Sequence, residues 1–142
     1  MTVADLDRSL AFWQGLLGTP ARWRGVLNAP YLGTVTGYPG VRLDASVLDL
    51  PGGVRLELLR YLDQREAAND PATARPGNVH LCLLVEDLDD AWARAVALGA
   101  QPVSPGPVAI TAGPKQGAHT GYLRTPDGVT LELFQAAASA TG

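Results

Sequence analysis

Residues 50–59 read Leu-Pro-Gly-Gly-Val-Arg-Leu-Glu-Leu-Leu, and residues 125–134 read Thr-Pro-Asp-Gly-Val-Thr-Leu-Glu-Leu-Phe. Each stretch is a turn containing Pro and Gly, followed by a strand in which apolar side chains flank one glutamate. Pro presets a φ that turns favour and Gly tolerates a positive φ, so each turn is expected to join antiparallel neighbours. Two copies of this unit indicate that the chain contains an internal repeat.

A second pair of matching segments precedes these strands. Residues 3–7 read Val-Ala-Asp-Leu-Asp and residues 85–89 read Val-Glu-Asp-Leu-Asp, and a Leu-Gly pair follows each segment along the chain. An Asp side chain can cap the first turn of a helix, and Gly can end one. The sequence therefore predicts one helix from an Asp7 cap to Gly18 and another from an Asp89 cap to Gly99.

The repeat predicts an α+β fold, in which two βαβββ modules form a curved mixed sheet around a cleft within a single domain, 1–142. The first module covers residues 1–62, with its first strand apparently truncated, and the second covers 78–142. Period-two alternation and turn signals predict strands at 41–49, 54–60, 78–85, 120–124 and 129–135. Polar, Pro- and Gly-rich stretches predict a linker at 63–77 and a covering loop at 104–118.

Composition excludes several classes of function. The chain of 142 residues has a formal net charge of −3 and no basic run, which argues against nucleic acid as a partner. No apolar stretch reaches the roughly 18 residues that a membrane span needs, and the N-terminus does not resemble a signal peptide. Cys82 is the single cysteine, so no intrachain disulfide can form, which fits a cytoplasmic location.

Three residues are candidates for chemistry. Glu57 and Glu132 occupy the same position in the two repeated strands, and His80 lies in another apolar strand, Asn-Val-His-Leu-Cys. Because strand side chains alternate between faces, each of the three can point away from the core and into the cleft. Two carboxylates and an imidazole suit a divalent ion such as Zn, Ni, Fe, Co or Mn. The alternative for each Glu is a solvated surface residue, and for His80 a hydrogen-bonded structural histidine, so both interpretations stay open here.

Weaker candidates surround that set. His119 and Tyr122 are expected near the cleft mouth, and Trp23, between two arginines, is expected to line a binding site. The competing interpretations are an exposed loop histidine and an ordinary surface strand. Lys115 is interpreted as a solvated loop residue, and Cys82 as a packing residue rather than a reactive thiol.

Several of these segments resemble the vicinal oxygen chelate superfamily, which includes glyoxalases, epimerases, extradiol dioxygenases and bleomycin resistance proteins. The segments that carry the resemblance are residues 2–13, 55–59, 78–82 and 121–134. The resemblance implies a metal held by a His and a Glu from each module, and Glu57, His80 and Glu132 match the last three positions. By the repeat, the first ligand would fall at position −2, upstream of Met1, so we expect the chain to begin inside or just after its first strand.

The resemblance also implies a class of reaction. It implies a metal-dependent lyase, isomerase or epimerase that stabilises the enediolate of a small carbonyl or thioester substrate. Glu132 is the first choice for the acid/base and Glu57 the second, and the Glu pair departs from the two-His pattern of extradiol dioxygenases. The alternatives are a protein that sequesters an aromatic natural product or antibiotic without chemistry, and a degenerate member with neither activity. Similar proteins are often dimers, so a homodimer is expected.

Overall fold

A computed structural model describes residues 1–64 and 66–138, which fall into two compact units, unit 1 (1–68) and unit 2 (69–142). Unit 1 contains α1 (Leu6–Leu17), β1 (Trp23–Leu27), α2 (Tyr31–Thr36), β2 (Leu43–Asp49) and β3 (Arg55–Tyr61). Unit 2 contains β4 (His80–Leu84), α3 (Leu88–Ala97), β5 (Gln101–Pro102), β6 (Val108–Ala109), β7 (His119–Arg124) and β8 (Thr130–Gln135). None of the described helices combines the length and apolarity needed to cross a bilayer.

Unit 1 is an antiparallel sheet in the order β1-β2-β3, covered on one face by α1. The first residues of the chain run parallel to β3, where Thr2 forms a bridge with Leu59. The side chains that α1 buries include Leu6, Phe12 and Trp13, and the two aromatic rings meet edge to face, with centroids 5.3 Å apart. Such edge-to-face pairs add to the stabilisation that apolar burial provides.

Unit 2 repeats this plan with a complete first strand. Its sheet runs β4-β8-β7-β5, with β4 parallel to β8, the other neighbours antiparallel, and β6 pairing with the other end of β7. Helix α3 packs on β8 and rests Trp92 over Gly121, where an added Cβ would lie 2.5 Å from the indole ring. Gly121 therefore makes room for the largest side chain of this core.

The predicted α+β class is confirmed, while the bounds of the two modules stay a prediction. Each unit places a parallel first segment beside its last strand, with a helix and antiparallel strands between them. The five predicted strands are present within two residues of their predicted ends. The prediction missed α2, β1, β5 and β6, which are short or lack clear alternation.

The predicted N-terminal helix caps were wrong by two residues. The N-caps are Asp5 and Asp87, whose carboxylates accept from the backbone N–H groups of Arg8 (3.1 Å) and Asp90 (2.9 Å). The helices start earlier than predicted because the Leu after each cap is buried and already helical. Asp7 and Asp89 instead lie in the first helical turns, where a negative charge is favourable.

Candidate functional site

One face of the unit 2 sheet carries the polar residues that the sequence singled out. The strand register pairs Glu132 of β8 with Cys82 of β4 on one side and with Tyr122 of β7 on the other. The neighbours of Glu132 along β8, Leu131 and Leu133, are fully buried on the opposite face. Strand alternation therefore presents Glu132 on the face that α3 leaves uncovered.

The Glu132 carboxylate is held at both of its oxygens. The Thr120 hydroxyl donates to Oε1 at 2.8 Å, and His80 Nε2 lies 3.2 Å from Oε2. Glu132 is mostly buried, with 17% of its side chain exposed, whereas the His80 side chain is 46% exposed. The arrangement fixes the carboxylate plane and leaves the imidazole edge open to a ligand.

This pair fits two positions in the shell of a divalent ion. Donors bound at about 2.0–2.2 Å to one ion lie roughly 3 Å apart, which matches the separation of Nε2 and Oε2. Across residues 1–64 and 66–138, no cluster of three or more His, Cys, Asp or Glu side chains is close enough to enclose an ion. Unit 2 therefore brings together two of the three residues that the sequence predicts as ligands, and their metal role stays a prediction.

Two further side chains border Glu132 and stay protonated. Burial raises the pKa of the Cys82 thiol, and the Glu132 charge adds to that shift. Burial and the same carboxylate also raise the pKa of Tyr122. The Tyr122 ring lies beside the imidazole of His80, with centroids 5.4 Å apart and planes tilted by 35°. Both groups are neutral at pH 7, so they can donate hydrogen bonds.

A cavity of about 170 Å³ lies at the start of β4 and β8. Its lining residues are Thr73, Asn78, Val79, His80, Tyr122 and Thr130. Because His80 and Tyr122 belong both to this cavity and to the surroundings of Glu132, a molecule in the cavity lies next to the candidate acid/base. The cavity and the carboxylate together form the candidate active site of unit 2.

The third predicted ligand, Glu57, lies in unit 1. It is exposed on β3, and the register aligns it with Val47 and, one strand further, with Trp23. The Met1 ammonium group donates to the Glu57 backbone carbonyl at 2.6 Å. Burial lowers the pKa of that ammonium group, and the Glu57 charge partly opposes the shift. The metal role of Glu57 stays a prediction.

The weaker candidates fall in different places. His119 and Gly121 alternate onto the α3 side of β7, so His119 faces away from Glu132. Trp23 is 43% exposed and lies over Gly25 on the Glu57 face of unit 1. Sequence reasoning missed Thr120, although its position two residues before Tyr122, on the same strand face, was a usable signal.

Comparison with known proteins identifies the family. The model of the glyoxalase-like domain matches residues 1–134. A 2-epi-5-epi-valiolone epimerase from an Actinomyces species is 31% identical, over 98% of this chain and 78% of that protein. The chain belongs to the glyoxalase-like domain family. The resemblance to the vicinal oxygen chelate superfamily is thereby confirmed.

Solved structures share the glyoxalase-like fold. A glyoxalase family protein from Bacillus cereus matches with a TM-score of 0.81 and 22% identity, over 97% of this chain and 91% of that one. A glyoxylase/bleomycin resistance protein/dioxygenase domain from Frankia matches with 0.66 and 23%, over 97% and 88%. The fosfomycin resistance protein FosX from Listeria monocytogenes, complexed with Mn(II), matches with 0.59 and 17%, over 99% and 86%. At these identities the likeness establishes the fold.

Proposed function

We propose that this glyoxalase-like protein is a metal-dependent isomerase or epimerase that moves a proton on the carbon next to a carbonyl group. The observation that carries the proposal is the Glu132 carboxylate, fixed by Thr120 at one oxygen and placed beside His80 at the other. The name of the epimerase relative supports the class of reaction. The lyase chemistry and thioester substrates implied by the sequence belong to the same type of proton transfer and remain alternatives within it.

The chain's own residues supply the acid/base step. Glu132 takes the proton from the substrate carbon, and the proton goes back to the resulting enediolate, so the reaction needs no oxidant or co-substrate. An isomerase returns it from the same side, whereas an epimerase needs a second acid on the opposite face, for which Glu57 is the second choice. Thr120 holds the carboxylate at Oε1 and leaves Oε2 next to His80, and Tyr122 can donate a hydrogen bond to a substrate oxygen. A bound divalent ion would polarise the substrate carbonyl and make the adjacent proton more acidic.

The residues that would hold the proposed ion are His80, Glu132 and Glu57. The first two fit by geometry, whereas the place of Glu57 rests on the internal repeat and the family resemblance. The Mn(II) complex of FosX supports a divalent ion in this fold. Zn, Ni, Fe, Co and Mn all accept imidazole and carboxylate ligands, so metal analysis of the purified protein has to choose among them.

Deuterium exchange tests the proposal directly. We expect the metal-loaded protein to exchange the proton next to the carbonyl of 2-epi-5-epi-valiolone in D₂O, and Glu132→Gln to slow the exchange at least ~100-fold. Glu86→Gln removes an exposed carboxylate outside the site and serves as the matched control. Equal exchange rates in the wild type and in Glu132→Gln would exclude Glu132 as the acid/base.

The exposed Trp23 favours one other function, the sequestration of an aromatic compound without turnover. Its indole is available on a sheet face of unit 1, and aromatic rings stack well on such a platform. A metal-free protein that binds an aromatic ligand, with quenching of Trp fluorescence that Trp23→Leu abolishes, would support this alternative and argue against the epimerase.

The homodimer also stays a proposal. Sedimentation at micromolar concentration tests it, and a mass of one chain, 14.9 kDa, would contradict it.

A further inference from the structure

The cavity beside His80 has a wall that carries hydroxyl groups. Three of its six lining residues, Thr73, Tyr122 and Thr130, bear hydroxyls, and within residues 1–64 and 66–138 no Lys or Arg lines it. The Glu132 carboxylate lies just beyond Tyr122 and repels anions. A phosphate or carboxylate group would therefore find no countercharge in this wall, whereas an uncharged polar group would find hydrogen-bond partners.

Thr130 is prepared to act as a hydrogen-bond donor. It is buried, and the Arg124 guanidinium donates a hydrogen bond to its hydroxyl oxygen. A hydroxyl has one hydrogen, and a guanidinium can only donate, so the hydrogen of Thr130 points elsewhere. Because Thr130 lines the cavity, that hydrogen is available to an oxygen atom placed there. The same bond engages Arg124, the nearest cation along β7, in holding Thr130.

Tyr122 offers a second hydroxyl. Within the described part of the chain, its hydroxyl group has no hydrogen-bond partner, while its ring packs beside His80. A ligand hydroxyl in the cavity can pair with it without displacing a protein contact. Thr130 and Tyr122 belong to β8 and β7, so the sheet fixes their spacing.

The segment 69–78, which apart from Asn78 lies in the predicted linker 63–77, forms the remaining wall. The Asn78 amide group donates to the carbonyls of Asp70 and Ala72, both at 2.8 Å, and its oxygen accepts from Asn69 at 2.6 Å. Asn78 thereby uses its amide hydrogens and its oxygen within this segment, which fixes Thr73 at the cavity. The wall is formed before any ligand arrives, which lowers the entropy lost on binding.

The cavity volume limits what can bind. Sites for drug-sized ligands occupy roughly 300–1,000 Å³, whereas this cavity measures about 170 Å³. It accommodates one small molecule or one end of a larger molecule.

We propose that this cavity binds an uncharged, hydroxyl-bearing part of the substrate, and that Thr130 is the donor that selects for it. Calling this ligand a substrate rests on the proposed function. The preference of the cavity for hydroxyl-bearing ligands does not depend on turnover. It assigns the protein to polyhydroxylated carbonyl compounds rather than to phosphorylated ones. It also gives the segment 69–78 a role in specificity.

Binding titrations followed by NMR test the inference without a reaction. The probes are scyllo-inosose, a six-membered ring ketone that carries five hydroxyls, cyclohexanone, the same ring without hydroxyls, and inorganic phosphate. We expect inosose to shift the amide signals of Val79, Tyr122 and Thr130 and to bind at least ~10-fold more tightly than cyclohexanone, because unmet hydrogen bonds penalise the bare ring. Phosphate is expected to leave these signals unchanged.

Substitution at Thr130 separates recognition from folding. Thr130→Val, which keeps the shape, is expected to weaken inosose binding about tenfold and to leave cyclohexanone binding unchanged. Thr130→Ser keeps the hydroxyl and is expected to retain the wild-type preference. Equal affinity for the two ketones, phosphate binding at these residues, or no loss of inosose affinity in a folded Thr130→Val protein would overturn the inference.

The outcomes also separate this inference from the proposed function. Selective inosose binding without deuterium exchange in any ketone would retain the cavity assignment and reject the epimerase. Glu132-dependent exchange that is equally fast with hydroxylated and bare ketones would support the proton-transfer function and reject the cavity assignment.

Discussion

Units 1 and 2 have the same strand plan and the same glutamate position, but they surround that glutamate differently. In unit 2, Glu132 is mostly buried, bonded to Thr120 and placed beside His80. In unit 1, Glu57 is exposed, and its cross-strand row leads to the apolar Val47 and to Trp23. Duplication of a scaffold therefore preserved the position of a carboxylate without preserving its chemistry.

The same contrast appears under the helices. Trp92 of α3 stands at the repeat position of Leu10 of α1, and Gly121 of β7 stands at that of Ser46 of β2. The larger helix residue in unit 2 thus faces the smaller strand residue.

The largest expected effect separates the two glutamates. Glu132→Gln is expected to slow proton exchange at least ~100-fold, because it removes the acid/base, and Glu57→Gln is expected to cost less, because the proposed role of Glu57 is metal binding. Both variants should bind less than one metal ion per chain, measured by elemental analysis beside the exchange rate. An equal loss of exchange rate in both variants would contradict the different roles proposed for Glu132 and Glu57.

A second comparison uses two glycines that lie under tryptophan rings. A Cβ at Gly121 would meet the largely buried Trp92 at 2.5 Å, and a Cβ at Gly25 would meet the half-exposed Trp23 at 2.7 Å. Gly121→Ala is expected to lower the free energy of unfolding by about 1–3 kcal/mol, since Trp92 has no space to move into. Gly25→Ala is expected to cost less than ~1 kcal/mol, because Trp23 can swing into solvent.

Urea unfolding of both glycine variants, followed by Trp fluorescence, measures the difference. Neither glycine has a positive φ, so backbone strain does not enter the comparison. A loss at Gly25 as large as that at Gly121 would show that Trp23 is held in place.

The helix caps provide the comparison in which the units should agree. Asp5→Ala and Asp87→Ala each remove one hydrogen bond to the first turn of a helix and are expected to cost about 1 kcal/mol. Circular dichroism during thermal unfolding measures each loss, with Asp5→Asn and Asp87→Asn as variants that retain a capping oxygen. A cost at one cap only would show that one of the two helices depends on its tertiary contacts instead.

The smallest effect concerns pH and one exposed ion pair in unit 1. The hydrogen bond from Arg42 holds the pKa of Asp63 below its usual range. The stabilisation is therefore present above the usual carboxyl range and is lost as pH falls through the lowered pKa. Arg42→Gln should raise the pKa of Asp63 toward the ordinary value, and carboxyl carbon NMR titration follows it directly. An unchanged titration in the variant would show that the pair does not form in solution.

The fold class and part of the candidate site could be predicted from the sequence. The repeated turn and strand predicted both modules, because Pro, Gly and period-two alternation act locally. Alternation along the strands also predicted that Glu132 and His80 point away from the core. The short elements β5, β6 and α2 carry too little pattern for prediction, since their pairing depends on neighbours that are distant in sequence.

The remainder of the site depends on the pairing register between strands, which the pattern within one strand does not fix by itself. Thr120 reaches Glu132 because β7 pairs with β8 in one particular register. Asn78 orders its segment through hydrogen bonds from its side-chain amide to the carbonyls of Asp70 and Ala72, and no sequence motif predicts these bonds. His119 alternates with Tyr122 along β7 and faces away from Glu132, so its role as a substrate-binding residue stays a prediction without support from this face of the sheet.

The parallel contact between Thr2 and Leu59 has a consequence for synthesis on the ribosome. Because the chain's first residues pair with the last strand of unit 1, that sheet cannot be completed until β3 has emerged. In unit 2, β4 likewise waits for β8. Such long-range closure slows folding relative to local pairing. Each unit therefore assembles late and as a whole, and a nascent chain that stalls before β3 exposes the apolar face of α1 to chaperones.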